Sequence, residues 1–237
     1  MSEIVIKERE IVAPGELLAK GMDNFPGSGA YREGENIYAS KLGIVYLDGR
    51  TVKIIPLSGV YVPKIGDVLI SKVIDIAFSG WRLNTNSPYS SMLSLKDATS
   101  DYIGRGADLT QYYEIGDYVV CKVTNVTSQK LVDVSMREPG LKKLKDGRIF
   151  KVNTNKVPRI IGKKGSMVSM IKNTTGCRIV VGQNGLVWIQ GDVTNEFIAL
   201  EAIKKIECEA HIPGLTSRIK KFLEEKTGKK VVEVEEK

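Results

Sequence analysis

The chain has 237 residues, of which 42% are hydrophobic and 27% charged, a balance typical of a globular protein of one large or two to three small domains. Its first residues carry charges where a signal peptide needs an apolar core, and no apolar run reaches the length of a membrane span. We therefore expect a cytoplasmic protein with no membrane partner. The formal net charge of the chain is +7.

The cysteines and the histidine offer little chemistry. The three cysteines are far apart, without a Cys-x-x-Cys pair, which argues against a disulfide framework or a zinc ribbon. Cys121 and Cys177 fall in strand-like runs and are expected to be buried thiols. His211 is the single histidine and has no visible catalytic partner. We predict no metal site, no cofactor and no catalytic residue.

Residues 1–64 predict a small β domain without net charge, since 8 basic side chains balance 8 acidic ones. Residues 21–34 are rich in Gly, Pro, Asn and Ser and predict a loop. Residues 36–47 and 50–56 predict two strands joined at Asp48-Gly49, because an Asp-Gly pair between apolar runs favours a hairpin. We expect this domain to serve as a scaffold or to dock a partner.

Residues 65–140 contain an internal echo. An Ile-Gly-Asp turn stands at residues 65–67 and again at residues 115–117, and each turn leads into an extended run with alternating apolar positions. Shorter strand-like runs lie between and after them, the last at residues 130–136. About five short strands at this spacing predict a small closed barrel of the OB type.

This segment resembles an S1 domain, which is an OB-type RNA-binding barrel. The resemblance rests on a first strand that ends near Phe78, on the aromatic Trp81, on Lys122 in the fourth strand and on the closing run at residues 131–137. It implies RNA contacts by Trp81, Arg82, Arg105 and Lys122, although for Trp81 core packing is favoured over stacking on a base. The net charge of this segment is only −2, from 7 basic and 9 acidic side chains.

The next segment is built around the sequence Val-Pro-Arg-Ile-Ile-Gly-Lys-Lys-Gly at residues 157–165. A short apolar helix ends in a Gly-x-x-Gly turn, and helical spacing resumes at residues 167–171. Glycines let a backbone approach a sugar-phosphate chain closely, and the first N–H groups of the second helix attract anions. Lys163 and Lys164 add positive charge at the same place.

Flanking elements make this motif specific. A strand is predicted at residues 147–153, two more at 177–181 and 186–190, and a long helix from residue 193 to about residue 210. This order resembles a type I KH module, a fold that holds about four nucleotides of single-stranded RNA or DNA at the Gly-x-x-Gly turn. The predicted RNA-binding residues are Arg159, Ile160, Ile161, Gly162, Lys163, Lys164, Gly165 and Ser166. Ile160 and Ile161 would lie under the bases, with core packing an equal use for at least one of them.

The positive charge is concentrated in this module. Residues 141–237 hold 20 basic and 11 acidic side chains, a net charge of +9. Within residues 142–178 there are 11 basic side chains and a single acidic one, Asp146. A basic face at the Gly-x-x-Gly turn indicates phosphate binding.

Together these elements predict a multidomain protein that is β-rich plus α/β. We expect a small N-terminal β domain (residues 1–64), a five-stranded S1 barrel of the OB type (65–140), a KH module with an extra helix at residues 215–226 (141–228), and a tail (229–237).

The order of these domains resembles that of the RNA-binding cap subunit of the archaeal exosome. The sharpest points of resemblance are the paired Ile-Gly-Asp turns and the run Arg-Ile-Ile-Gly-Lys-Lys-Gly at residues 159–165. The resemblance implies a non-catalytic subunit, present in three copies on a ring of RNase PH-like chains. These subunits guide the 3′ end of single-stranded RNA to the pore of the ring for 3′–5′ degradation or processing.

Two alternatives stay open. An S1–KH transcription or translation factor would act outside an exosome, although such transcription factors usually carry two KH modules in tandem. A nuclease would need converging carboxylates around a metal ion, and Asp97, Asp101 and Asp108 are the candidates by their closeness in sequence.

Overall fold

The computed structural model describes residues 3–57, 59–99, 103–104, 106–210 and 212–228. It divides into two compact units, Met1–Gly59 and Val60–Lys237. The second unit contains both the barrel and the KH module, so their mutual packing is defined. The domain boundaries drawn from the sequence at residues 64 and 140 stay predictions.

The first unit is an all-β domain with two four-stranded sheets, in the orders β1-β3-β6-β5 and β2-β7-β8-β4. Its strands are β1 (Glu3–Ile4), β2 (Ile11–Val12), β3 (Leu17–Lys20), β4 (Phe25–Pro26), β5 (Ala30–Glu33), β6 (Asn36–Ala39), β7 (Gly43–Asp48) and β8 (Thr51–Pro56). The core between them is formed by small and branched apolar side chains, among them Val12, Leu18, Ile37 and Val45.

The single strand predicted for residues 36–47 is wrong, because β6 and β7 are separate strands in different sheets. Gly43, the first residue of β7, lies close against β8. A Cβ atom at this position would lie 2.4 Å from the backbone oxygen of Ile55 in the neighbouring β8. The predicted hairpin is confirmed, since β7 and β8 pair antiparallel from Gly43–Pro56 to Asp48–Thr51.

The second unit begins with the predicted barrel. Its elements are β9 (Val68–Ala77), β10 (Gly80–Asn84), β11 (Ser90–Ser94), α1 (Leu95–Ala98), β12 (Tyr118–Val126), β13 (Val132–Ser135) and β14 (Lys143–Leu144). Pairing runs β13-β11-β10-β9-β12, and a further β13–β12 ladder closes these five strands into a barrel. The strands β11 and β13 are parallel and the other barrel neighbours are antiparallel. The predicted five-stranded barrel is confirmed.

The sequence echo corresponds to a local symmetry in this barrel. The two echoed segments form β9 and β12, which pair antiparallel with each other. The amide of Gly66 donates to the Val123 oxygen over 2.9 Å, and the amide of Gly116 donates to the Val73 oxygen over 2.9 Å. Each Gly-Asp turn is therefore tied to the middle of the other strand by the same bond.

The KH module follows the predicted order. Its elements are β15 (Arg148–Lys151), α2 (Val157–Ile161), α3 (Ser166–Thr175), β16 (Arg178–Val181), β17 (Leu186–Gln190), α4 (Val193–Glu209) and α5 (Leu215–Thr227). The sheet order β15-β17-β16, antiparallel throughout, is that of a type I KH module. Ile160, Ile171, Ile203 and Ile206 are fully buried in the core beneath the helices.

The added helix α5 completes this core. Ile219 and Leu223 have no exposed surface and lie in the same cluster as the side chains of α3 and α4. Phe197 of α4 lies outside this core, because it is 51% exposed.

Barrel and KH module share an apolar joint. Ile70 and Val120 of the barrel pack with Leu144, Leu186 and Trp188 in one buried cluster. Since β9 and β12 supply the barrel side, and β17 supplies part of the KH side, the joint connects the central strands of both folds.

Asn184 fixes this joint with hydrogen bonds. Its side chain is fully buried, and the Nδ2 atom donates to the backbone oxygens of Ile70, over 2.7 Å, and Thr85, over 2.8 Å. The backbone oxygen of Asn184 accepts a bond from the side chain of Asn86 over 2.9 Å. A buried amide with these partners holds the turn between β16 and β17 against the barrel.

Replacing Asn184 tests the joint. We expect Asn184→Ala to lower the free energy of unfolding by about 3 kcal/mol, because two backbone carbonyls lose their buried donor. Urea unfolding of the whole chain measures this. The control is Gln183→Ala, because the Gln183 side chain is exposed and its backbone amide still donates to Val68. Equal losses for the two variants would contradict the role of the amide.

Candidate nucleic-acid interface

The Gly-x-x-Gly turn has a backbone that other sequences would not adopt readily. The helix α2 ends at Gly162, whose φ is +76° and whose amide donates to the oxygen of Pro158 over 3.0 Å. Lys164 and Gly165 then adopt left-handed conformations, with φ of +51° and +83°. Three positive φ angles within four residues form a compact bend between α2 and α3.

Gly162 and Gly165 differ in the space around the position that a Cβ atom would occupy. A Cβ atom at Gly162 would lie 2.7 Å from both the Cβ atom and the backbone nitrogen of Met167. At Gly165 no atom lies within 4 Å of the corresponding position. Gly162 therefore permits the packing of the bend onto α3, whereas Gly165 leaves open space in front of the helix.

That space adjoins the first turn of α3. Gly165 is its N-cap and contributes no side-chain acceptor to the first amides. The start of a helix whose amides are not capped by a side chain attracts anions through those N–H groups and the helix dipole. The local geometry thus suits a phosphate group.

Cations surround this position. Lys163, Lys164 and Ser166 are exposed, and so is Arg159 on α2. Ile161 is half-buried beside the turn. Their exposure is compatible with the predicted RNA contacts, which stay predictions.

Ile160 does not belong to that surface. It has no exposed area and packs in the KH core with Ile171 and Ile203. The prediction that it lies under RNA bases is wrong, because its side chain is buried in the core. Of the two isoleucines, only Ile161 can offer apolar area at the surface.

Arg178 is a further exposed cation of the KH module and was not among the predicted binding residues. It is exposed at the start of β16, against which α2 and α3 pack. The alternation in this strand could have identified it, since Ile179 faces the core and its neighbour must face outward.

Some of the other basic side chains are held in ion pairs. The guanidinium of Arg148 lies 3.1 Å from the Glu196 carboxylate, and Lys143 pairs with Asp117 in the barrel. The first pair links β15 to α4, and the second links β14 to the barrel. These cations stabilise the unit and are less available to a ligand.

Trp81 is a core residue of the barrel. It is fully buried, its Nε1 donates to the Tyr113 oxygen over 3.1 Å, and its ring meets the ring of Tyr113 edge-on with centroids 5.1 Å apart. The predicted RNA contact of Trp81 is therefore wrong, because no face of the ring is accessible to a base.

The predicted cations of the barrel differ in placement. Arg82 is exposed and lies 3.8 Å from Asp75, while Lys122 bonds to the Glu138 carboxylate over 2.6 Å. Exposed pairs of this kind are weak, so a phosphate could compete for either cation. Arg105 lies outside the described residues. RNA contacts by these three residues stay predictions.

The carboxylates considered for a nuclease have local roles. Asp97 accepts a bond from the Ser94 hydroxyl over 2.7 Å, and Asp108 caps a helical turn by accepting from Thr110. The hydrogen bonds from Thr110 lower the pKa of Asp108. Asp101 lies outside the described residues. Among the residues that the structure describes, no group of three or more His, Cys, Asp or Glu side chains is arranged to hold a metal ion.

Burial of two thiols is confirmed. Cys121 and Cys177 are buried, whereas Cys208 is exposed. Burial raises the pKa of the Cys121 thiol to about 12, so it stays protonated at neutral pH. In the described part of the chain, no helix is long and apolar enough to cross a membrane.

The fold and this surface define a class: RNA-binding proteins that combine an S1-type barrel with a type I KH module. Comparison with known proteins agrees. Residues 9–58 match the family model of the exosome RNA-binding protein RRP4 N-terminal domain, and residues 147–205 match that of the KH domain.

Whole-chain relatives give the same result. Over 227 residues the chain is 41% identical to the exosome complex component Rrp4 of Pyrococcus furiosus, covering 94% of this chain and 86% of the relative. It is 41% identical over 221 residues to the Rrp4 of Methanothermus fervidus, covering 93% and 97%. The crystal structure of a proposed exosome complex RNA-binding protein superposes with a TM-score of 0.63 at 34% identity, covering 71% of this chain and 97% of that one. This chain belongs to the Rrp4 family.

The two glycines of the turn can be separated by experiment. We expect Gly165→Ala to destabilise the protein by about 1 kcal/mol, the cost of a left-handed alanine in open space. We expect Gly162→Ala to cost at least about 2 kcal/mol more, because the added methyl also overlaps the backbone of Met167. Urea unfolding measures both. Equal costs would show that the bend does not pack on α3 as described.

Proposed function

We propose that this chain is a non-catalytic RNA-binding subunit of an exosome, which caps a ring of RNase PH-like chains. It guides the 3′ end of single-stranded RNA into the central pore for 3′–5′ degradation or processing. The observation that carries the proposal is the exposed basic turn at residues 162–165, which leads into the uncapped first turn of α3 in a chain of the Rrp4 family.

The proposed RNA binding follows from the geometry of this turn. A phosphate placed before α3 meets backbone N–H groups, while Lys163 and Lys164 supply charge from the turn itself. Arg159 adds exposed positive charge from α2. These contacts are made to the sugar-phosphate backbone, so binding does not depend on the base sequence. An entry site for RNA degradation requires this property.

The first unit offers a surface for the ring. Ile11, Ile44 and Ile55 are aligned across β2, β7 and β8 in one row of strand partners. Ile11 is 61% exposed and Ile55 is 54% exposed, and the ring of Tyr46 is also exposed on β7. An apolar row of this kind on an outer sheet face suits contact with another protein. We propose that it docks on the ring.

The remaining parts of the proposal concern the assembly. Three copies would occupy one ring, in the cytoplasm, with the KH surfaces left accessible to RNA. The chain would contribute no chemistry of its own, since Asp97 and Asp108 are engaged in local hydrogen bonds and the phosphorolytic sites would lie in the ring.

The RNA site can be tested by charge reversal. We expect Lys163→Glu with Lys164→Glu to weaken binding of a single-stranded RNA at least tenfold at ~0.1 M salt. The slope of log affinity against log salt should fall by about 1.4, since two phosphate contacts are lost at ~0.7 each. Fluorescence anisotropy over a salt series measures both quantities.

The matched control is Lys204→Glu with Lys221→Glu. Both lysines are exposed on α4 and α5, and the change in net charge is the same. If the control lost as much affinity as the double variant at the turn, the general positive field would account for binding and the assigned site would be wrong.

The docking surface can be tested by co-purification. The tagged chain should recover two RNase PH-like chains in near-equal amounts from its native lysate, and Ile11→Ser with Ile55→Ser should reduce that recovery severalfold. Val193→Ser with Ile212→Ser removes exposed apolar area from the KH module instead and should leave recovery unchanged. Recovery of RNA polymerase or ribosomal subunits without the ring chains would favour a transcription or translation factor.

A further inference from the structure

A depression opens on the KH module away from the Gly-x-x-Gly turn. It lies between β15 and α4, and its surface is almost entirely apolar. Its lining residues are Arg148, Phe150, Ile189, Glu196, Phe197 and Leu200. Phe197 is 51% exposed at its rim, beneath the guanidinium of Arg148, which lies 5.1 Å from the ring centroid. An exposed aromatic ring beside an apolar hollow is typical of a surface that another segment covers.

An unpaired strand edge runs beside this depression. In the described part of the chain β15 pairs with β17 alone, so its other edge carries backbone groups without strand partners. Its residues alternate across the sheet: Phe150 packs towards the helices, while Ile149 packs towards the barrel joint. Arg148 and Lys151 are exposed at its two ends. Such an edge can accept a further strand.

Helix α5 directs the residues that follow it towards this depression. Lys205 of α4 lies over the ring of Phe222 at 4.9 Å, and the Lys226 ammonium lies 3.0 Å from the Glu201 carboxylate. The two helices are therefore antiparallel, and α5 runs towards the start of α4. Phe197 is one turn, about 6 Å, beyond Glu201 on the same stripe of α4. The direction of α5 at its C-terminal end leads to the depression.

Residues 229–237, which lie outside the described part, have the composition of a complementary strand. Their sequence is Lys-Lys-Val-Val-Glu-Val-Glu-Glu-Lys. Val232 and Val234 alternate with Glu233 and Glu235, so an extended conformation places valines on one side and carboxylates on the other. Nine extended residues span up to about 30 Å, enough to cross Phe197 and follow β15.

We propose that residues 229–237 of the same chain dock here as a fourth strand on the edge of β15. Val232 and Val234 enter the depression against Phe197 and Leu200, on the side of the sheet that Phe150 faces. Glu233 and Glu235 lie on the opposite side, where Lys151 provides the opposite charge. The added strand shields the edge of β15 from pairing with other chains. This inference is independent of RNA and of the proposed ring.

Hydrogen exchange of the β15 amides tests the docking. We expect the edge-facing amides of residues 148–151 to exchange roughly tenfold faster in a chain that ends at Gly228 than in the full chain. Val232→Ser with Val234→Ser should have the same effect. Val231→Ser, on the other side of the alternation, is the matched control and should have little effect. Equal exchange in the truncated and full chains would overturn the proposal.

Charge reversal and dilution identify the occupant. Lys151→Glu should speed exchange at β15, and Glu233→Lys with Glu235→Lys in the same chain should restore slow exchange. Protection that is unchanged on dilution supports docking within one chain. Protection that disappears on dilution would instead assign the edge to the tail of a second copy and would overturn the proposal as stated.

Discussion

The arrangement of the second unit depends on a buried amide between two folds. Asn184 donates to the backbone of Ile70 and Thr85 in the barrel, next to the apolar cluster that Ile70 forms with Trp188. Buried polar groups are costly unless they are satisfied, so this contact has one favourable geometry rather than many. The barrel and the KH surface are therefore held in a fixed relation, and RNA bound at one would follow a defined path past the other.

The same joint separates the two ends of the KH module. The turn between β16 and β17 is occupied by the barrel, whereas the Gly-x-x-Gly turn lies at the junction of α2 and α3, and its lysines are exposed. The stabilising contact with the barrel and the proposed RNA contact thus belong to different loops. Gly162 is the exception, because it serves both the packing onto Met167 and the shape of the basic turn.

Local patterns were sufficient to predict the order of elements in the KH module, the β7–β8 hairpin and the basic turn. The echoed Ile-Gly-Asp turns predicted two strands, although their mutual pairing depends on distant contacts that a pattern does not contain. The direction of single side chains was harder to predict. Trp81 and Ile160 are both apolar residues beside plausible binding positions, and only the packing of the surrounding barrel or sheet decides that they face inward. Likewise, the close approach of Gly43 to Ile55 depends on the pairing of β7 with β8 and not on the residues next to Gly43 in sequence.

The placement of the aromatic residues has a spectroscopic consequence. The chain contains two tryptophans, and they report on different events. Trp81 is enclosed in the barrel core, so its emission follows the unfolding of the barrel. Trp188 lies in the joint, and its Nε1 donates to the Asp146 oxygen over 2.8 Å, so its emission follows the separation of the two folds. A variant that keeps only Trp188 would report the separation of the barrel from the KH module, and a variant that keeps only Trp81 would report the unfolding of the barrel. Neither measurement needs an attached label.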